Sequence, residues 1–80
     1  MTELTSREKV IGVKQSRKAI REDRARQVFL ACDADPAVTD PVAESCAAAG
    51  IPVETGYTMS QLGHACSITV GAAVVAVLKD

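Results

Sequence analysis

The chain alternates between stretches where apolar residues recur every three or four positions and short runs where they are continuous. Residues 3–10, "ELTSREKV", accept a first helix, with Thr2 or Thr5 available as its cap, and Gly12 interrupts it. Lys14 to Asp23 suits a second helix, because Lys, Gln, Arg, Ala and Ile all tolerate that conformation. "QVFLAC" at 27–32 is a short apolar run of strand length. "DADPAVTDP" follows, and its two prolines and three aspartates predict a loop. Asp40 is then a suitable N-cap with Pro41 in the first helical position, for a helix "PVAESCAAA" stopped by Gly50. In that helix Val42, Cys46 and Ala49 share one face. "IPVETG" at 51–56 reads as a second short strand. Thr58 and Gln61 have capping-box spacing and predict a brief helix over 59–65. "VVAVL" at 74–78 is the last strand.

Strands that alternate with helices imply crossovers covering both faces of a sheet. The strand at 27–32, its helix and the strand at 52–55 make one right-handed βαβ unit. The fold class expected is α/β: a three-layer α/β/α sandwich with a small mixed sheet, as one domain over residues 1–80.

Composition adds bounds. A chain of 80 residues buries roughly 60% of the surface its unfolded form exposes, which leaves little room for a deep cleft. Phe29 and Tyr57 are the only aromatics. The N-terminus is polar, without a secretory signal, and no apolar run approaches the roughly 20 residues that span a bilayer, so no membrane partner is expected. Cys32, Cys46 and Cys66 are odd in number and lack close pairs, which points to a reducing cytoplasm and to small buried thiols.

Charge changes the picture more. Residues 7–26 hold eight basic and three acidic side chains, a net of +5. Residues 27–80 hold Lys79 against six acidic side chains, a net of -5, and Glu3 supplies the last negative charge. A basic end on an acidic remainder suits a focused anionic partner such as nucleic acid, or else it is a solvated helix surface.

Catalytic and metal signatures are absent. There is no phosphate-binding glycine loop of either common type. His64 and Cys66 are two residues apart, which places them on different faces of a helix, and two ligands do not make a metal site. Asp33 and Asp35 flank a turn, where aspartate more often satisfies backbone donors. The chain is expected to be neither an enzyme nor a cofactor binder.

Two stretches carry a resemblance. One is Gly12-Val13-Lys14-Gln15-Ser16-Arg17-Lys18; the other is Leu62-Gly63-His64-Ala65-Cys66-Ser67-Ile68-Thr69-Val70-Gly71-Ala72-Ala73; "VFLACDADP" lies between them. In this order and spacing they resemble the ribosomal protein L-seven-Ae family of kink-turn RNA binders, most nearly its small bacterial YbxF-type members. The likeness spans about residues 8–78. It implies an α/β/α sandwich and a glycine-preceded helix whose first turn enters the widened major groove of a kinked RNA. The archaeal pattern there is Gly-x-Asn-Glu-x-x-Lys; here Lys14 and Gln15 stand at the Asn and Glu positions, as is common in the small bacterial members, and Lys18 matches the lysine.

The chemistry of the stretch is compatible with that role. A helix N-terminus suits phosphate. Lysine can donate to guanine O6 and N7, and glutamine can pair with adenine. Lys14 and Lys18 are four apart on one face, Arg17 and Arg21 form a second such row that can track phosphates, and Gly12 permits close backbone approach. The resemblance further implies that Leu62, Gly63, Ile68, Thr69 and Val70 frame the nucleotide extruded at the kink, although Ile68 to Val70 read alone could simply begin a strand. Two departures stand out. Ser67 replaces the family's usual glycine, which costs on the order of 1 kcal/mol if the position is left-handed, and Thr69 stands where the bacterial members carry glutamate.

The expected function is therefore recognition of kink-turns in ribosomal RNA or a structured untranslated region by a cytoplasmic monomer, with the ribosome as a candidate partner. The rival is a protein-interaction module that uses the acidic face around Asp33, Asp35 and Asp40.

Overall fold

The computed structural model describes residues 8–79. Strand β1 (Lys9–Ile11) is followed by α1 (Val13–Arg21), β2 (Ala25–Leu30), α2 (Pro36–Ala49), β3 (Val53–Glu54), α3 (Met59–Ala65) and β4 (Val74–Leu78). The four strands form one mixed sheet in the order β1-β4-β2-β3. β4 runs antiparallel to both neighbours, while β2 and β3 pair in parallel with Val28 opposite Val53.

β4 is central, and all five of its side chains are buried, which explains its uninterrupted apolar sequence. Alternation along the strands divides the core in two. Val28, Leu30, Val74, Ala76 and Leu78 meet Ala19 and Ile20 of α1 and Val42 and Cys46 of α2. Phe29, Val75 and Val77 meet Leu62 of α3. The result is the α/β/α sandwich expected from the order of elements.

Two local expectations fail. The helix over 3–10 is contradicted where it is described: Lys9–Ile11 is a strand, paired with Val77–Val75 of β4. The rest of that helix, including Thr2 and Thr5, lies outside the described residues. Val10 packs on one core cluster and Ile11 on the other, so two β-branched neighbours gain more by closing the sheet than by extending a helix.

The loop over 33–41 is also contradicted from Pro36 onward. Asp35, not Asp40, is the N-cap, and its carboxylate accepts from the Ala37 N–H at 3.0 Å. Pro36 occupies the favoured first position, and Pro41 lies inside the helix. A proline there removes one backbone hydrogen bond and crowds the carbonyl four residues earlier, at about 3 kcal/mol in an ordinary helix interior. Ala37 and Pro41 are both exposed, so water can reach the carbonyl that is left over. Elsewhere the local signals match. Gly50 ends α2 with a left-handed φ of 71°, and Thr58 and Gln61 form the reciprocal capping box.

Candidate nucleic-acid interface

Gly12 links β1 to α1 with φ 103°, a conformation that L side chains rarely adopt. Its N–H donates to the Val74 carbonyl at 2.8 Å, which fixes the start of α1 against the first residue of β4. The first amides of a helix have no intrahelical partner. Gly12 has no side chain to receive them, and the first turn contains no acidic residue. That end of α1 therefore presents N–H groups and positive dipole to an anion.

The helix is strongly amphipathic. Ser16, Ala19 and Ile20 are buried, while Lys14, Gln15, Arg17, Lys18 and Arg21 are exposed. Val13, Lys14, Arg17, Lys18 and Arg21 border a shallow concavity of about 510 Å³. The acidic residues after α1 are engaged elsewhere: Asp23 by the Lys79 ammonium at 2.9 Å and Glu22 by the Arg24 guanidinium at 3.6 Å. The Ser16 hydroxyl is fully buried without a hydrogen-bond partner.

The second wall is α3 with residues 66–73. The Thr58–Gln61 capping box opens α3, and the Asp33 carboxylate accepts from the Met59 N–H at 2.8 Å. α3 ends in a Schellman motif: the Ile68 N–H donates to Gly63 C=O and the Ser67 N–H to His64 C=O, both at 3.0 Å. The left-handed residue of that motif is Ser67, with φ 60°. The geometry that glycine supplies without strain is here imposed on a serine. The chain then folds back along α3, where the Ala72 N–H donates to Met59 C=O at 3.0 Å. Gly63 permits this return, because a Cβ there would stand 2.2 Å from the Val70 carbonyl oxygen.

The loop and α3 border a cavity of about 580 Å³, lined by Asp33, Met59, Ser60, His64, Ile68, Thr69, Val70 and Gly71. Val70 is 68% exposed, an unusual position for a large aliphatic side chain. Ile68 is half-buried and Thr69 exposed. Leu62 is fully buried and packs beneath the loop with Ile68, so it shapes this wall from inside rather than offering surface. Gly63 is likewise buried and sets how closely the loop approaches.

The two walls meet at one end of the sheet. Gly12 bonds to Val74, Ala31 donates to the Ala73 carbonyl at 2.9 Å, and residues 66–73 lead directly into β4. Glycine and loop, some sixty residues apart in sequence, thus share the N-terminal end of one strand. Sequence reasoning missed Met59, Ser60 and His64 as lining residues and the placement of Asp33 beside them. The available signal was helical spacing: Ser60 and His64 stand four residues apart in the helix expected over 59–65.

Of the three thiols expected to be buried, Cys46 is buried and Cys66 half-buried, whereas Cys32 lies exposed in the turn after β2. Burial pushes the Cys46 thiol up, and burial does the same for Cys66, partly offset by the nearby Lys9 ammonium. Among the described residues no group of three or more His, Cys, Asp or Glu could hold a metal ion, and no helix is long and apolar enough to cross a membrane.

Comparison with known proteins agrees with this architecture. An RNA-binding protein from Geobacillus sp. (strain WCH70) is 44% identical over 70 residues, covering 88% of this chain and 85% of that one. The RNA-binding protein YbxF of Geobacillus stearothermophilus is 43% identical over the same shares of the two chains. An RNA-binding protein from Caldanaerobacter subterraneus is 38% identical over 76 residues, covering 95% of this chain and 93% of the relative. Among solved structures, the Giardia lamblia 15.5kD RNA binding protein superposes with a TM-score of 0.84 at 26% identity, over 90% of this chain and 61% of that one. A protein of unknown function from Bacillus halodurans shares the fold, with a TM-score of 0.86 at 23% identity over 96% of this chain and 77% of that one. The family profile matches residues 2–80, and the chain belongs to the ribosomal protein L7Ae/L30e/S12e/Gadd45 family.

Proposed function

We propose that this protein is an RNA-binding protein that recognises kink-turns, as a monomer and in the cytoplasm, in ribosomal or other structured RNA. It is not an enzyme; the family relatives are named as RNA-binding proteins. One observation carries the reading: a basic, uncapped helix N-terminus lies beside an exposed apolar loop at the same end of the sheet. An ordinary A-form helix has a major groove too narrow for side chains to read, whereas a kink opens the groove and turns a base outward. Two walls of different chemistry suit two such features. Lys14, Gln15 and Lys18 reach the base edges of the non-canonical G·A pairs, Gly12 allows their close approach, and Arg17 and Arg21 follow the phosphates. Ile68, Thr69 and Val70 receive the extruded nucleotide, supported by Leu62 and Gly63.

The chain has too few aromatics to stack a single strand: Phe29 is buried, and Tyr57 is half-buried with its ring 6.0 Å from that of Phe29. The acidic face is a weaker candidate, because Asp33 and Asp35 each hold a helix start.

The test is titration of a fluorescent kink-turn duplex beside a control in which Watson–Crick pairs replace the G·A pairs. Tight binding to the first and weak, salt-sensitive binding to the second is the expected result. Equal binding to both would reduce α1 to a general phosphate patch, and binding to neither would turn attention to a protein partner.

A further inference from the structure

Three consecutive residues after β2 hold the second wall by three separate bonds. The Ala31 N–H donates to the Ala73 carbonyl at 2.9 Å, the Cys32 N–H donates to the Tyr57 carbonyl at 2.8 Å, and the Asp33 carboxylate accepts from the Met59 N–H at 2.8 Å. The first bond ties down the end of the loop over 66–73, and the other two tie down the start of α3. Two of the three run between backbone groups, which any residue but proline supplies. The third depends on a side chain, and Asp33 provides it across 26 positions of sequence.

Met59 is where α3 meets the loop. Its N–H, at the first position of the helix, has no intrahelical partner, and the Thr58 hydroxyl is taken by the Gln61 N–H. Asp33 fills that vacancy. On its other side the Met59 carbonyl accepts from the Ala72 N–H at 3.0 Å, and Gly71 lies so close that a Cβ on it would stand 3.0 Å from the Met59 Cβ. One residue of α3 therefore bears Asp33 and the loop at once. At the far end of the helix Gly63 bears the loop again, through its carbonyl and through the close approach of Val70. The position of Ile68, Thr69 and Val70 thus follows α3, and the start of α3 follows Asp33. Asp33 is itself exposed and borders the same cavity as those three residues. A carboxylate there repels phosphate, so what Asp33 contributes is its acceptor oxygen and not its charge.

We propose that Asp33 is a positioning residue for RNA recognition: by holding the Met59 N–H it fixes where the loop that receives the extruded nucleotide stands. This rests on the kink-turn reading given above. Asp33 acts through Met59, so its removal is felt at the extruded nucleotide and not at the contacts made by α1.

Wild type, Asp33→Ala and Asp33→Asn are titrated at a temperature where circular dichroism shows all three folded. The probes are the fluorescent kink-turn, the same RNA made abasic at the extruded nucleotide, and the Watson–Crick control. Asp33→Ala should bind the intact kink-turn about tenfold more weakly than wild type, the scale of one hydrogen bond, and should match wild type on the abasic RNA. Asparagine keeps an acceptor oxygen and drops the charge, so Asp33→Asn should stay within about twofold of wild type on the intact RNA. General damage to the fold would weaken binding to intact and abasic RNA alike. That result, or Asp33→Ala at wild-type strength on the intact RNA, or Asp33→Asn falling as far as Asp33→Ala, would overturn the inference while the wild-type preference for the kink-turn persists. Wild type that fails to prefer the kink-turn over the Watson–Crick control, or over the abasic RNA, would instead overturn the underlying reading, and this inference with it.

Discussion

Replacing Gly63 by alanine is the sharpest probe of the second wall, because two effects of opposite sign meet there. In an open helix the change would stabilise by about 1 kcal/mol through propensity alone. Here the added Cβ would stand 2.2 Å from the Val70 carbonyl oxygen, and it would also meet the Val70 carbonyl carbon at 3.1 Å and the Gly71 Cα at 3.2 Å. The oxygen must retreat by about 0.8 Å to reach even 3.0 Å, a separation below which Cβ contacts are essentially never found. All three obstacles are backbone, so no side-chain rotation relieves them. The segment that must move is pinned by Ile68 N–H to Gly63 C=O and by Ala72 N–H to Met59 C=O.

Overpacking of this kind costs about 1–3 kcal/mol, and weakening two backbone hydrogen bonds adds about 1 kcal/mol each. Net of propensity, Gly63→Ala should destabilise by about 2–4 kcal/mol. In a domain of this size that lowers the thermal midpoint by about 10–30 °C. Urea unfolding followed by circular dichroism measures it, with an unchanged m-value indicating that unfolding is still two-state. A variant as stable as wild type, or more so, would refute the reasoning, because it would mean that the loop does not rest on Gly63. At temperatures where the variant is folded, kink-turn binding should also weaken, since the displaced loop carries Ile68 and Val70.

Other substitutions test neighbouring claims. Lys14→Ala combined with Lys18→Ala should weaken kink-turn binding about a hundredfold or more with little change in thermal midpoint, both side chains being exposed; binding at wild-type strength would remove α1 from the interface. Ser67→Gly should raise stability by about 0.5–1 kcal/mol in urea titration, because φ 60° strains serine and not glycine; a loss would show that the serine side chain contributes something the strain does not outweigh. Ser16→Ala should stabilise by about 1 kcal/mol, since it deletes a buried hydroxyl with no partner and favours helix; destabilisation would mean that the hydroxyl is satisfied in solution.

Much of the architecture is legible along the chain because its signals are local. "VVAVL" is uniformly apolar, as a strand covered on both faces must be. Gly50 and the Thr58–Gln61 pair close or open helices through backbone geometry and hydrogen bonds that span only a few residues. The basic face of α1 follows from helical spacing, and Gly12 announces its start. These features also suffice for the family resemblance.

Tertiary structure decided the rest. Lys9–Ile11 is a strand because β4 has an edge to fill, and Asp35 begins α2 although Pro41 argued for a later start. Local propensity is worth tenths of a kcal/mol per residue, and core packing outweighs it. The cavity beside α3 depends on a carbonyl resting on Gly63 and on Asp33 reaching Met59 across 26 positions, distances that no spacing rule encodes. Composition and periodicity determined which faces are apolar and which are basic. Only the folded sheet, by bonding Gly12 to Val74, brought the basic helix start and the apolar loop to the same end of the molecule.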